Sequence, residues 1–137
     1  MHEWALAEAV LNALQEIAER EDLEEVKEVV LQLGELQQVD EEIFIFALSN
    51  LKTCKLNRAV FRIEKENAEF ECRSCSNFWS FKDVKMDEEA LEAIHFIPEI
   101  AHAFLRCPRC GSPDYNIVKG KGVWVKNIVG KRKSGVD

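Results

Sequence analysis

The sequence predicts an α+β fold in which two helices pack on a small three-stranded sheet, with an inserted zinc-ribbon-like module. Three observations support this fold class. Apolar residues recur at helical spacing in two segments, they alternate at strand spacing in three others, and four cysteines form two Cys-x-x-Cys pairs. The chain has 137 residues, 47% of them hydrophobic, which is enough for one ordinary core.

Both predicted helices lie in the first half of the chain. The first runs from Glu3 to about Arg20, because one face carries an apolar stripe made of Leu6, Val10, Leu14 and Ile17. Asp40 has the side chain of a helix N-cap and precedes an apolar segment that ends near Leu51. That segment is the second predicted helix.

Alternation predicts three strands: Val26 to Leu36, Val60 to Glu64 and Gly120 to Ile128. The first should be buried mainly on one side, with Gly34 at its end or in a bulge. The order of elements is therefore helix, strand, helix, strand, cysteine-rich insertion and strand. The sheet is completed when the chain returns from the insertion, which places domain boundaries at 1–66, 67–119 and 120–137.

The two cysteine pairs predict a metal site. They are Cys72-Arg73-Ser74-Cys75 and Cys107-Pro108-Arg109-Cys110, and each places two thiolates on one turn. Four thiolates suit a tetrahedral Zn(II), and such a closed site is structural because no position is open to substrate. Two dithiols or disulfides are the alternative, but five is an odd number of cysteines and four of them have metal spacing.

The insertion itself has too few apolar residues to form a large core alone, so we expect zinc binding to supply folding free energy there. Four aromatic side chains near the first cysteine pair should pack around the metal: Phe70, Phe78, Trp79 and Phe81. A short helix is predicted to begin near Asp87. Of the other candidate ligands nearby, His102 is interpreted as structural, and Cys54, outside the insertion, is not interpreted as a fifth zinc ligand.

The chain begins Met1-His2-Glu3. Because His2 is a large second residue, we expect Met1 to be retained with a free amine. The amine, the following amide nitrogen and the imidazole then form fused chelate rings, which favour a planar Ni(II) or Cu(II) site. Glu3 could add an oxygen ligand or hold the imidazole by a hydrogen bond. The alternative is that His2 only caps the first helix and Glu3 only favours its N-terminus.

Charge and motif content exclude several classes of protein. The net charge is −7, with the acidic excess in residues 1–66, which argues against a nucleic-acid partner. No apolar run is long enough to cross a membrane and no signal segment is visible, so a cytoplasmic protein is expected. Because the sequence lacks a clustered acid–base pair, a nucleophile elbow and a phosphate loop, we do not expect an enzyme.

Three groups of residues together resemble the HypA family of hydrogenase nickel-incorporation proteins. They are Met1-His2-Glu3-Trp4 before a helix, Leu33-Gly34-Glu35-Leu36 at the end of the first strand, and two knuckles that end in Cys107-Pro108-Arg109-Cys110-Gly111. The resemblance covers essentially the whole chain. The long segment between the knuckles, with Ile94-His95-Phe96-Ile97-Pro98-Glu99, is similar to that of the longer, archaeal-type members.

The resemblance implies a nickel metallochaperone. Residues 1–66 and 120–137 would form its nickel-binding domain, with Met1, His2 and Glu3 at the Ni(II) site, and the four cysteines would bind Zn(II). By similarity to the longer members, His95 would complete the nickel site; the alternative is a core histidine. The implied partners are the nickel-handling GTPase HypB and a hydrogenase large subunit. Two other functions stay open from the residues alone: a rubredoxin-like iron electron carrier and a zinc-ribbon interaction module.

Overall fold

The computed structural model describes residues 2–133, apart from the side chains of His95 and Pro98, and it has the predicted α+β class. The helices are α1 (Glu3–Arg20), α2 (Glu41–Leu51), α3 (Glu88–Phe96) and α4 (Ala101–Phe104). The strands are β1 (Leu23–Gly34), β2 (Val60–Glu66), β3 (Glu69–Cys72), β4 (Phe78–Ser80), β5 (Tyr115–Lys119) and β6 (Val123–Arg132). Over the described range, none of these helices has both the length and the apolar character needed to cross a bilayer.

The chain divides into two compact units. Within the described residues, the first unit consists of three segments: the chain up to Leu31, Val39–Glu64, and the chain from Trp124 onward. The second unit takes Gln32–Gln38 and Lys65–Val123. The predicted domain boundaries at residues 67 and 119 stay a prediction.

The first unit contains the two predicted long helices, which pack on each other. Helix α1 has the predicted bounds and buries a continuous stripe made of Ala7, Val10, Leu11, Leu14 and Ala18. Helix α2 begins where Asp40 predicts it, because the Asp40 carboxylate accepts a hydrogen bond from the Ile43 amide at 3.1 Å. It buries Phe44, Ala47 and Leu48.

The first sheet has the strand order β2-β1-β6, so the strand that follows the insertion returns beside β1. The predicted strand ends need correction. Strand β1 starts at Leu23, and it ends at Gly34 because residues Glu35–Gln37 form a 3-10 turn. Its centre is covered on both sides, since Val30 is 6% exposed and its neighbours Val29 and Leu31 are fully buried.

Strands β2 and β6 also differ from their predicted ranges. Strand β2 continues to Glu66, and β6 runs from Val123 to Arg132 instead of from Gly120 to Ile128. Gly120 and Gly122 have φ values of 97° and 90°, a left-handed conformation that suits a turn and not a strand. The turn that they form separates β5 from β6.

The second unit has its own three-stranded antiparallel sheet, β4-β3-β5, which the sequence did not predict. Phe70 of β3 pairs with Trp79 of β4, and Cys72 pairs with Tyr115 of β5. This unit also has a larger core than expected, formed by buried residues from separate segments: Leu36, Ala68, Phe70, Trp79, Ile94, Ala101, Leu105 and Tyr115. Phe78 is an exception to the predicted aromatic packing, because it is 60% exposed.

Side-chain oxygens join three chain segments at one end of the second unit. The Glu35 carboxylate accepts the Ala68 amide at 2.7 Å, and the Glu66 carboxylate accepts the Gly120 amide at 2.8 Å. The Gly120 carbonyl in turn accepts the Leu36 amide at 2.8 Å. These bonds fix the points at which the chain enters and leaves the cysteine-rich module.

Candidate metal centres

The four predicted cysteines converge on one point. All their Sγ atoms lie within 4.8 Å of one another. Cys72 and Cys110 are 3.5 Å apart, and Cys75 and Cys107 are 3.7 Å apart. Four thiolates around Zn(II) at its usual bond length would be separated by about 3.8 Å. The arrangement therefore fits a tetrahedral four-thiolate metal site.

The two knuckles have matching turns, which explains how distant segments supply equivalent ligands. In the first, the Ser76 amide donates to the Cys72 carbonyl at 3.0 Å; in the second, the Gly111 amide donates to the Cys107 carbonyl at 2.8 Å. Ser76 and Gly111 both have left-handed φ values, 63° and 76°. This conformation turns the chain sharply after the second cysteine of each pair.

The thiols of the two knuckles differ in pKa. Burial works against ionisation of Cys107, but amide donors from Arg109 and Cys110 outweigh it and lower the pKa of this thiol to about 6. Cys110 accepts the Ser112 amide, yet the neighbouring cysteines, chiefly Cys72, and burial raise its pKa to about 12. The first cysteine of the other pair, Cys72, likewise has a lowered pKa, because amide donors outweigh burial. A divalent cation would favour the thiolate form of all four.

Three residues that contact the cysteines or join the two knuckles were not predicted from the sequence. The Asn77 side-chain amide donates to the Cys107 sulfur at 3.7 Å, and the hydroxyls of Ser74 and Ser112 join the two knuckles at 3.1 Å. Serine and asparagine are common in turns, so the sequence gives no signal that separates these residues from ordinary turn residues. Their contacts orient the cysteines against each other.

The predicted N-terminal site is described in part. Met1 lies outside the described residues. His2 is exposed at the N-cap position of α1, and its side chain makes no capping hydrogen bond there, although its carbonyl accepts the Leu6 amide at 2.9 Å. The structure thus places His2 at the cap position that the alternative interpretation gives it, with the main chain and not the side chain making the capping hydrogen bond.

Glu3 is the one buried charged residue among those described, with 3% of its surface exposed. Its Oε2 atom accepts the main-chain amide of Asp40 at 3.0 Å. Burial disfavours its charged form, but hydrogen bonds, that of Asp40 among them, outweigh burial and lower the pKa to about 2. Glu3 therefore joins the start of α1 to the start of α2, a connection that the sequence did not predict.

Three other residues were weighed as ligands in the sequence: His95, His102 and Cys54. His95 is the eighth residue of α3, and its side chain lies outside the description. The His102 ring stacks on Tyr115 with centroids 4.3 Å apart, and its Nδ1 lies 3.2 Å from the Pro113 carbonyl. The interpretation of His102 as a structural residue agrees with these contacts. Cys54 is exposed and lies outside the group of four thiols.

Comparison with known proteins decides the family. Residues 1–130 match the family described as hydrogenase/urease nickel incorporation, metallochaperone, HypA. The chain belongs to the HypA family. HypA members are metallochaperones that act in hydrogenase maturation and are not enzymes, so the family and the predicted absence of catalysis are confirmed.

Two HypA proteins from archaea are similar to the chain over nearly its whole length. The chain is 46% identical to the hydrogenase maturation factor HypA of Pyrococcus furiosus, over 94% of this chain and 95% of the relative. It is also 46% identical to the HypA of Thermococcus kodakarensis, over 98% and 99%. The solution structure of the nickel metallochaperone HypA from Helicobacter pylori has a TM-score of 0.66 and 18% identity, covering 97% of this chain and all of that chain. That last likeness confirms the HypA fold.

Proposed function

We propose that this HypA protein binds Ni(II) at its N-terminus and delivers it for maturation of [NiFe]-hydrogenase. The position of His2 carries the proposal, because His2 is exposed and directly precedes α1 at the N-terminus of the chain. The Met1 amine, the next amide nitrogen and the His2 imidazole would then supply the nitrogen ligands of a planar nickel site.

The role of Glu3 follows from its burial. One carboxylate oxygen accepts the Asp40 amide, which restrains the orientation of the carboxylate. The contact favours a positioning role, in which Glu3 fixes the first turn of α1 and so orients the nitrogen ligands of Met1 and His2. Direct oxygen ligation by Glu3 is the outcome to be distinguished by experiment.

Cys72, Cys75, Cys107 and Cys110 are proposed to bind a structural Zn(II). The separations of their sulfurs and the matching turns support this assignment. All four donors are cysteines, which leaves no coordination position for a substrate. Zinc would therefore stabilise the second unit and take no part in nickel chemistry.

Delivery requires a partner and a way to release nickel. We propose that the GTPase HypB and a hydrogenase large subunit are the partners, in the cytoplasm, because HypA proteins act in hydrogenase maturation. His95 would join the nickel site in one state of the protein and leave it in another, so that nickel can be held and then released. The net charge of −7 disfavours a nucleic-acid partner.

Nickel titration of untagged protein tests the proposed site. His2→Ala should abolish tight Ni(II) binding, since it removes the imidazole from the chelate. His102→Gln is the matched control, because its ring is held by Tyr115 and Pro113 and is not proposed as a ligand. Tight binding by the His2→Ala variant, or its loss in both variants, would contradict the proposal.

A further inference from the structure

The four cysteines of the metal centre are unequally exposed. Cys72 and Cys107, the first cysteine of each knuckle, are 1% and 2% exposed. Cys75 is half-buried, and Cys110 is exposed. A reagent that approaches from solvent therefore meets the sulfur of Cys110 before it meets the two inner sulfurs.

Hydrogen bonds reach both the inner and the outer sulfurs, because Cys110 accepts the Ser112 amide and Cys75 accepts the Asn77 amide. The Cys72 sulfur accepts the Cys75 amide at 3.4 Å, and the Cys107 sulfur lies 3.7 Å from the Asn77 side-chain amide. Donors of this kind hold electron density on a sulfur and reduce its readiness to attack an electrophile. The inner and outer cysteines therefore differ in burial and not in the presence of donors, and thiol reactivity depends on access as well as on thiolate character.

The exposed sulfur also has a close neighbour. Cys110 Sγ lies 3.5 Å from Cys72 Sγ, across the two knuckles. Modification of Cys110 therefore takes place within reach of a second sulfur that lies 38 residues away in the chain.

We propose that Cys110 is the modification site through which hydroperoxides and other thiol-directed electrophiles enter the centre, and that its oxidation ends in a disulfide with Cys72. The proposal rests on the proposed zinc site. It makes the second unit sensitive to peroxide, because the disulfide removes two of the four thiolates that hold the metal.

The chemistry balances with a hydroperoxide as the oxidant. With zinc bound, which would keep Cys110 in the thiolate form, this thiolate attacks one peroxide oxygen; a sulfur–oxygen bond forms, the O–O bond breaks and hydroxide leaves, giving a sulfenic acid. The Cys72 thiolate then attacks the Cys110 sulfur; the S–S bond forms, the sulfur–oxygen bond breaks and a second hydroxide leaves. Each sulfur loses one electron, and the peroxide takes up two.

The sequence allows each cysteine to be followed separately. Trypsin cuts after Arg73, Arg106 and Arg109, so Cys72, Cys75, Cys107 and Cys110 fall on four different peptides. Cys54 falls on the short peptide 53–55 and serves as the reference for an exposed thiol outside the centre.

The test begins with full-length protein whose zinc content has been measured. Substoichiometric iodoacetamide is added, and the labelled peptides are quantified by mass spectrometry. Among the four centre cysteines, we expect Cys110 to carry more label than the other three together at early times. Equal labelling of all four, or first labelling of Cys72 or Cys107, would overturn the proposal.

The same protein is then treated with hydrogen peroxide in the presence of a colorimetric zinc chelator. Zinc release should accompany a disulfide that joins peptide 66–73 to peptide 110–119. Disulfides only within each knuckle would overturn the assignment of Cys72 as the partner. Absence of zinc at the start would overturn both the zinc site and this proposal, whereas the wrong order of labelling with zinc present would overturn this proposal alone.

Discussion

The buried carboxylate of Glu3 accepts the main-chain amide of Asp40 at 3.0 Å, and the Asp40 side chain accepts the amide of Ile43 at the start of α2. One pair of residues thus sets the beginning of both helices. The residue that follows His2 in the proposed nickel strip is therefore fixed to the body of the first unit.

Glu3→Gln tests this connection. The amide retains size but weakens a charged hydrogen bond in a buried place, so the free energy of unfolding should fall by about 1–3 kcal/mol. Chemical denaturation followed by far-UV circular dichroism measures it. The control is Glu8→Gln, an exposed position on the same helix, which should change little. Equal effects of the two substitutions would remove the anchoring role.

The stability contributed by Glu3 should also depend on pH in a defined direction. Its folded pKa of about 2 lies below the ordinary value of 4.5, so the contribution is complete above about pH 4.5 and is lost as pH falls through about 2. The difference in stability between wild type and Glu3→Gln should therefore shrink as pH is lowered from 5 toward 2. A difference that grows on acidification would contradict the assignment.

The helices could be predicted from the sequence because their determinants are local. The apolar stripe of α1 and the Asp40 cap of α2 lie within the segments that they specify. The core of the second unit could not be predicted from the sequence, because it joins residues that are far apart in the chain, such as Leu36 and Tyr115. The Glu3–Asp40 contact, which spans 37 positions, has no local signature for the same reason.

The cysteine site was predictable because Cys-x-x-Cys spacing is itself the local signal. The residues around it could not be predicted, since Asn77 donates to a cysteine of the other knuckle, and Ser74 and Ser112 join the two knuckles by a hydrogen bond to each other. The predicted start of β6 was wrong because Gly120 and Gly122 form a turn. Their left-handed φ values are set by that turn and leave no trace in the apolar alternation of the sequence.

Zinc should hold the second unit together. Cys72→Ser or Cys110→Ser should lose the metal and unfold the cysteine-rich module, while α1 and α2 stay folded, because their core lies in the first unit. Metal analysis and hydrogen exchange measure the two effects, with Cys54→Ser as the control that keeps zinc. Stoichiometric iron and a red colour, or a folded module without zinc, would contradict the structural zinc assignment.

His95→Ala tests the proposed nickel ligand that lies far along the chain from Met1 and His2. We expect weaker Ni(II) binding or a changed absorption spectrum, with unchanged zinc content. The measurement is made on the chain alone and with the HypB partner. An unchanged affinity and spectrum under both conditions would assign the nickel site to the N-terminal residues without His95.

The most direct test of the nickel chaperone account is isothermal titration of Ni(II) into the protein with a free Met1 amine and into the same protein with that amine acetylated. The account predicts tight binding for the free form and its loss for the acetylated form, because the amine and the His2 imidazole are ligands in one chelate. It further predicts that binding by the free form weakens as pH falls through the range where imidazoles take up a proton, near ~6.5. Equal affinity with the amine blocked would contradict the central claim.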